Sequence, residues 1–308
     1  MPGKISDQLP VVAVVGATAT GKSDLGLALA QRWGGEVINA DASQLYRGMD
    51  IGTAKLTSQE RAGVPHHQLD VLDVTQEASV ADYQAGARAD LVAIRSRGHI
   101  PVIVGGSGLY VRALLDRLEI PPTDPQVRAR WEAELERVGV AELHARLTAA
   151  DPEAAARIQP RNGRRIVRAL EVIELTGRPF SATLPRREYA VPTVQIGLSA
   201  DREVLAGRIA HRVDRMWERG LVEEVQALEE RGLREGRTAS RAIGYAQVLA
   251  MLDGTLTPEA AREDTGNATR RLVRRQEAWF GPDPRITWLP HDADDLVDQV
   301  VQTVTGLT

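Results

Sequence analysis

The sequence predicts an α/β protein in which helices flank a parallel sheet and an all-helical insertion interrupts the core. Short β-branched runs alternate with helical patterns in the early part of the chain, which is typical of parallel sheets. From about Arg117 the alternation stops. Pro121-Pro122 breaks the chain, and Asp124 to Glu174 is rich in Ala, Arg and Glu, which favours successive helices.

The first predicted elements are a strand, a glycine loop and a helix. Val11 to Val15 is β-branched and ends at Gly16, and the spacing of Leu25, Leu27, Leu29 and Trp33 predicts the helix. The following elements are predicted as a strand at Glu36 to Ala40, a helix from about Ser79 to Arg97 and a strand at Ile100 to Val104. We expect ligands at the carboxyl ends of these strands.

After the insertion the chain returns to the sheet. Tyr189 to Leu198 predicts a strand, the chain is then mainly helical to Gly281, and a short strand at Ile286 to Leu289 precedes a last helix. We therefore assign residues 1–116 and 197–308 to the α/β core and residues 117–196 to the insertion.

Composition excludes several classes of protein. A chain of 308 residues can bury a full core, and the absence of cysteine excludes disulfides, thiolate zinc sites and a cysteine nucleophile. The N-terminus lacks an apolar signal region, and the longest apolar stretch, Leu9 to Val15, is too short to cross a bilayer. We expect a cytoplasmic protein that has no contact with membranes.

Positive charge is local and is carried mainly by arginine. The net charge of −4 argues against a uniformly basic nucleic-acid binder. Arginines nevertheless cluster at three places: Arg161, Arg164, Arg165 and Arg168; Arg202, Arg208, Arg212 and Arg215; and Arg270, Arg271, Arg274 and Arg275. Such clusters suit phosphate contacts or solvated helix faces. Lysine occurs only at Lys4, Lys22 and Lys55, so a lysine inside a motif indicates a point-charge contact to phosphate.

A phosphate-binding loop is the strongest local motif. Gly16-Ala17-Thr18-Ala19-Thr20-Gly21-Lys22-Ser23 fits the pattern G-x-x-x-x-G-K-[ST], between a predicted strand and a predicted helix. In this pattern backbone amides face phosphate oxygens, the lysine neutralises charge and the serine hydroxyl can bind Mg²⁺. The loop alone does not distinguish a diphosphate ligand from a triphosphate.

The strand ends separate this chain from an ordinary ATPase. Val102-Ile103-Val104-Gly105-Gly106 carries no acid, where a hydrolase would usually place a magnesium-binding aspartate. The acid at a strand end is Asp41, after the second strand. Its carboxylate could bind a metal, accept a proton from a nucleophile or cap a turn.

Longer segments extend the pattern over about Val12 to Leu289. They are Asp41 to Lys55 (DASQLYRGMDIGTAK), Pro65 to Asp70 (PHHQLD), Val104 to Tyr110 (VGGSGLY), Arg168 to Val172 (RALEV), Ala242 to Tyr245 (AIGY), and Ala268 to Gln276 with Trp279-Phe280. In this order they resemble the tRNA dimethylallyltransferases of bacterial type, also called tRNA isopentenyltransferases.

The resemblance implies a fold, substrates and a cofactor. The fold would be related to P-loop kinases, with an insertion that grips the anticodon stem-loop of tRNA. The donor would be dimethylallyl pyrophosphate, with Mg²⁺ as cofactor and no ATP consumed. The acceptor would be N6 of the adenosine directly 3′ of the anticodon, and the enzyme would act as a monomer.

The resemblance also carries residue roles. Asp41 would take the proton from the amine, Ser107 would contact the adenine, and Lys22 would stabilise the leaving group. Pyrophosphate would be bound by Gly16, Ala17, Thr18, Ala19, Thr20, Gly21, Lys22, Ser23 and Arg212, with Ser23 binding the metal. The implied tRNA contacts are Asp41, Ala42, Ser43, Gln44, Ser107, Arg128, Arg164, Arg165, Ile166, Val167, Arg168, Arg241, Ala242, Ile243, Gly244, Tyr245, Ala246, Arg274, Arg275, Gln276, Glu277, Ala278, Trp279, Phe280 and Gly281.

Some positions and interpretations stay open at this point. The family usually has serine where this chain has Ala42, and often basic side chains where it has Ala246 and Gly281, so these three positions depart from the family pattern. A small-molecule kinase or a non-catalytic tRNA-binding module would also suit a phosphate loop on a parallel sheet. We expect hydrogen-bonding or packing roles for His66 and His67, and core positions for Trp131, Trp217 and Trp279.

Overall fold

The computed structural model describes residues 10–183 and 187–306, and within them the strands form one parallel sheet. The strand order is β3-β2-β4-β1-β5-β6, and every neighbouring pair is parallel. The strands are β1 Val11–Gly16, β2 Glu36–Asn39, β3 His66–His67, β4 Pro101–Val104, β5 Thr193–Ser199 and β6 Ile286–Pro290. The predicted fold class is confirmed. Only β3 was missed, because two residues produce no alternating pattern.

Helices occupy most of the remaining described chain. They are α1 Lys22–Trp33, α2 Val80–Ser96, α3 Gly108–Leu115, α4 Pro125–Ala150, α5 Pro152–Arg157, α6 Gly163–Thr176, α7 Arg202–Glu218, α8 Leu221–Glu229, α9 Tyr245–Leu252, α10 Pro258–Phe280 and α11 Leu296–Thr305. The long α4 is interrupted at Gly139, where φ is 81°. In the part of the chain that the structure describes, every helix is too short or too polar to span a membrane.

The sheet separates two apolar layers. Alternate residues of β1 point to opposite faces, as the period of a strand requires. Val11, Ala13 and Val15 face α2 and α3, whereas Val12 and Val14 face α1 and α11. Burying one such valine contributes about 1.5 to 3 kcal/mol. This packing holds the ends of β1, β2 and β4 in a fixed order at one edge.

The chain divides into two compact units. One comprises the described parts of Met1–Leu115 and Tyr189–Thr308, and the other is Asp116–Glu188. The predicted end of the insertion at residue 196 is wrong, because it lies inside β5, which pairs with β1 from Thr193 onward. Pro192 already accepts a hydrogen bond from the Val11 amide, at 2.9 Å. The sheet therefore resumes earlier than the sequence indicated.

Candidate active site

The loop between β1 and α1 has the geometry of an anion site. Gly21 precedes α1 with φ of 89°, and Ala19 also has a positive φ, of 67°. The Thr20 hydroxyl donates to the Ala17 carbonyl at 2.9 Å, which folds the loop on itself. Because Gly21 has no side chain, the first amides of α1 have no side-chain cap and are left for an anion.

The loop lines a cavity of about 520 Å³. Thr18, Ala19, Gly21, Lys22 and Ser23 contribute to its wall, whereas Gly16, Ala17 and Thr20 are buried behind it. Arg208, Arg212 and Arg215 of α7 also line the cavity, together with Arg219, the residue directly after that helix. Three of these belong to the second arginine cluster, so part of that cluster faces a cavity and is not a solvated helix face.

The charges in the cavity influence one another. The pKa of Lys22 is lowered to about 8, mainly by burial; nearby Asp41 opposes this lowering and Arg212 adds to it. Burial likewise lowers the pKa of Arg212, against the opposing influence of Asp41. Arg212 donates to the Thr18 hydroxyl and to the Thr53 carbonyl, both at 3.2 Å. These cations favour an anionic ligand beside the loop.

Asp41 follows β2 and lines the same cavity as Lys22. Its carboxylate accepts the Ser43 N–H at 2.9 Å and so caps a short 3-10 helix at Ala42–Leu45. The capping role that the sequence left open is therefore present. A carboxylate has about four lone-pair sites, so one capping bond leaves capacity to accept a proton.

Ser107 supports the turn that carries Asp41. Its N–H donates to the Ala40 carbonyl at 3.1 Å, and its hydroxyl accepts the Ala42 N–H at 3.1 Å. A Cβ on Gly105 would lie 2.2 Å from the Ala40 oxygen, so glycine is needed for this close approach of β2 and β4. Ser107 is not among the described residues that line the cavity. Its contact with adenine stays a prediction.

Gln276 of α10 joins the phosphate loop to the end of β4. Its side-chain oxygen accepts the Thr18 N–H at 2.8 Å, and its amide donates to the Gly106 carbonyl at 3.1 Å. The residue is buried. The sequence suggested a tRNA contact here, but the side chain is committed to positioning the loop.

The IPP transferase family model matches residues 44–283. The chain belongs to the IPP transferase family. A relative from Thermobifida fusca (strain YX), named tRNA dimethylallyltransferase, is 63% identical over 299 residues, covering 96% of this chain and 94% of the relative. The tRNA dimethylallyltransferase of Streptomyces coelicolor is 64% identical over 288 residues, covering 94% of this chain and 92% of the relative.

Solved structures agree with this family assignment. The full-length tRNA isopentenylpyrophosphate transferase of Bacillus halodurans is similar with a TM-score of 0.71 and 41% identity, over 97% of this chain and 96% of that one. A eukaryotic dimethylallyltransferase acting on tRNA gives a TM-score of 0.81 and 28% identity, over 96% of this chain and 78% of that one. The kinase alternative receives no support from these comparisons.

In this IPP transferase the expected tRNA contacts of the α/β core differ in exposure. The exposed ones are Arg241, Arg274, Arg275, Ala278, Trp279 and Gly281. The half-buried ones are Asp41, Ala42, Ser43, Gln44, Ser107, Ala242, Ile243, Ala246 and Glu277. The side chains or backbone of Gly244, Tyr245, Gln276 and Phe280 are buried. Burial limits what the side chains of these last four can offer to RNA, and their tRNA contacts stay predictions.

The insertion shows the same division. Arg164 and Arg165 are exposed, whereas the side chains of Ile166 and Val167 are buried in the insertion's own core, and their tRNA contacts stay predictions. Arg128 and Arg168 both donate to Glu171, whose side chain is fully buried. Arg128 thereby joins α4 to α6, whereas Arg168 lies on the same helix as Glu171 and also donates to the Pro121 and Pro122 carbonyls. The sequence indicated neither role.

Several other expectations have a clear outcome. His66 and His67 hydrogen-bond with the Val64 carbonyl and with Glu36, at 2.9 and 2.6 Å, as expected. Trp131 and Trp217 pack against apolar clusters, but the expectation for Trp279 is wrong, because it is 38% exposed.

Lys55 also differs from its predicted role. Its ammonium lies within 2.7 Å of Asp50 and 2.6 Å of Asp70, and its side chain is buried. These two carboxylates neutralise the charge, so Lys55 fixes a loop and is not a free phosphate ligand. The sequence reasoning missed Arg215 and Arg219 as cavity residues, although their spacing from Arg208 and Arg212 places all four on one helix face.

Proposed function

We propose that this chain transfers a dimethylallyl group from dimethylallyl pyrophosphate to N6 of the adenosine directly 3′ of the anticodon in tRNA. One observation carries the proposal: a phosphate loop and a strand-end carboxylate line one cation-rich cavity, and β4 ends without an acid. That combination suits a pyrophosphate leaving group and a proton acceptor, and it does not suit hydrolysis of ATP.

The chain's residues would act in the following way. The exocyclic amine attacks the allylic carbon, the carbon–oxygen bond to pyrophosphate breaks, and the amine proton passes to Asp41. Negative charge grows on the departing pyrophosphate, where Lys22, Arg212 and the loop amides would stabilise it. Gln276 would fix the phosphate loop and Ser107 would fix the turn that carries Asp41, so that the donor and the attacking amine are held in position for the reaction.

The residues also suit Mg²⁺. The Ser23 hydroxyl lines the cavity beside the loop, where it would hold the ion together with pyrophosphate oxygens. Within the described residues no cluster of three His, Asp or Glu side chains could hold a metal alone, and Mg²⁺ at phosphate sites needs few protein ligands. When bound, Mg²⁺ would neutralise charge on pyrophosphate.

The tRNA would be contacted by the exposed arginines at Arg164, Arg165, Arg241, Arg274 and Arg275, which are free to meet phosphates. Aromatic Trp279, at 38% exposure on α10, offers a surface for a base. The adenine would have to flip out of the anticodon loop, because its amine is not accessible while the base is stacked there. The monomeric state and the cytoplasmic location are part of this proposal.

The test is transfer of label from dimethylallyl pyrophosphate to unmodified tRNA, with Mg²⁺ and without ATP. We expect the label on the adenosine beside the anticodon, located by nuclease digestion and mass spectrometry. A tRNA with guanosine at that position is the matched control and should receive none. Absence of transfer by folded protein that hydrolyses ATP would overturn the proposal.

A further inference from the structure

A single carboxylate holds the loop that forms one side of the cavity. We call residues 49–56 the wall loop. Glu224 of α8 accepts the N–H groups of Asp50 at 3.2 Å, Ile51 at 2.8 Å and Gly52 at 3.3 Å, and it also accepts the Tyr245 hydroxyl. Three successive amides around one anion form a nest that fixes the backbone between them.

The wall loop packs directly against Tyr245. This tyrosine is fully buried, and a Cβ on Gly52 would lie 2.5 Å from its ring. Burial and the adjacent Glu224 raise the pKa of the Tyr245 hydroxyl, so it stays a hydrogen-bond donor. The tyrosine therefore orients Glu224, and its side chain is not available to RNA.

Further bonds make the wall loop rigid at its two ends. Lys55 donates to the Tyr46 carbonyl at 2.8 Å in addition to its two ion pairs. The Thr53 hydroxyl donates to the Met49 carbonyl at 2.7 Å. The Thr53 carbonyl accepts from Arg212, which also contacts the phosphate loop at Thr18. The wall loop and the phosphate loop are thus joined through one guanidinium.

The wall loop supplies apolar surface to the cavity through Ile51, Ala54 and Leu56. If pyrophosphate lies at the cationic phosphate loop, the prenyl chain is stabilised where it can lie against apolar side chains. We propose that Glu224, oriented by Tyr245, is a positioning residue that fixes the wall loop against the prenyl chain and so sets which donor length is accepted. The inference rests on the proposed function, because it takes dimethylallyl pyrophosphate as the donor.

The experiment compares Glu224→Gln with Glu223→Gln, its exposed neighbour on α8. The readouts on the full chain are kcat/KM for dimethylallyl pyrophosphate and inhibition constants for geranyl pyrophosphate and inorganic pyrophosphate. For Glu224→Gln we expect kcat/KM to fall about tenfold and discrimination against the longer geranyl donor to shrink by about as much, since a displaced wall affects the prenyl end. The inhibition constant for inorganic pyrophosphate should change by less than about twofold. In Glu223→Gln, kcat/KM and both inhibition constants should change by less than about twofold.

Tyr245→Phe removes one hydroxyl and keeps the ring, so it tests the same idea if the glutamine variant does not fold. We expect a loss of discrimination in the same direction, of about threefold. Unchanged discrimination in either folded variant, or an equal loss toward all three ligands, would overturn the inference. If the unsubstituted chain transfers no prenyl group, the proposed function fails, which is a separate outcome.

Discussion

Asp41 caps a turn in the structure and has a chemical role in the proposed function. It caps the short 3-10 helix through the Ser43 amide, and the same carboxylate faces the cations of the cavity. Asparagine retains a side-chain oxygen that can accept the same hydrogen bond, so Asp41→Asn separates the two roles.

For Asp41→Asn we expect near-normal tRNA binding and a fall of about 10²- to 10⁴-fold in the single-turnover rate, the usual contribution of a general base. Filter binding measures the tRNA affinity, and a rapid-quench assay measures the single-turnover rate. Asp24→Asn is the matched control, because Asp24 is a second aspartate that lines the cavity. A rate close to that of the unsubstituted chain would assign Asp41 to capping alone.

We expect Lys22 to make binding of the donor dependent on pH. Burial lowers its pKa to about 8, and a bound pyrophosphate would raise the pKa again by pairing with the ammonium. The free site is therefore charged below about pH 8 and loses its charge above it, so affinity is highest below that pH. Between the free and the bound pKa, the Kd for dimethylallyl pyrophosphate should rise about tenfold per pH unit.

Calorimetric titrations from about pH 7 to about pH 9.5 measure this effect, with proton uptake on binding as an independent readout. Lys22→Arg keeps its charge throughout this range and should remove the pH dependence while weakening binding. A Kd that rises equally in both proteins would show that another group titrates.

At the scale of elements, the insertion depends on one buried carboxylate. Burial alone would raise the pKa of Glu171, but hydrogen bonds from Thr123, Arg128, Arg168 and the Asp124 amide outweigh it and lower the pKa to about 2. The side chain is fully buried between α4 and α6. Removing its charge leaves two arginines without their partner.

We expect Glu171→Gln to destabilise the insertion by about 3 kcal/mol, as for other broken buried pairs. Because the folded pKa is depressed, the carboxylate's stabilisation is complete above its ordinary pKa of 4.5 and is lost as the pH falls toward about 2. The difference in Tm between the two proteins should therefore shrink over that interval. Glu174 lies on the same helix and forms a more exposed ion pair with Arg130, so Glu174→Gln should lower the free energy of unfolding by less than about 1 kcal/mol.

At the scale of the whole molecule, the two units are joined where the chain enters and leaves the insertion. The Ala190 amide donates to the Leu115 carbonyl at 2.7 Å, so the core's two ends lie close together. A short linker can replace residues 116–188, since insertions between adjacent ends are removed with little strain.

We expect this shortened chain to fold and to bind pyrophosphate with about the Kd of the full chain, because the phosphate loop and α7 lie within the core. Its affinity for tRNA should fall about a hundredfold or more, since the exposed arginines of the insertion are lost. Calorimetry and filter binding measure the two affinities. Full tRNA affinity in the shortened chain would show that the insertion does not bind tRNA.

The sequence by itself determined five of the six described strands, the phosphate loop and the family, because these depend on local patterns. β-Branched runs, the Gly16 to Ser23 motif and family segments such as Asp41 to Lys55 are each contiguous in sequence. Contiguous patterns can be recognised without knowledge of the tertiary structure.

Only the tertiary structure decided which side chains serve the site and which serve the core. Gln276 contacts Thr18 of the phosphate loop across 258 positions of sequence, and Glu224 contacts Ile51 of the wall loop across 173 positions. Arg128, Arg168 and Tyr245 were expected to contact RNA, yet the two arginines donate to buried Glu171 and the tyrosine donates to half-buried Glu224. Burial and long-range hydrogen bonds are properties of packed elements, so one-dimensional spacing does not reveal them.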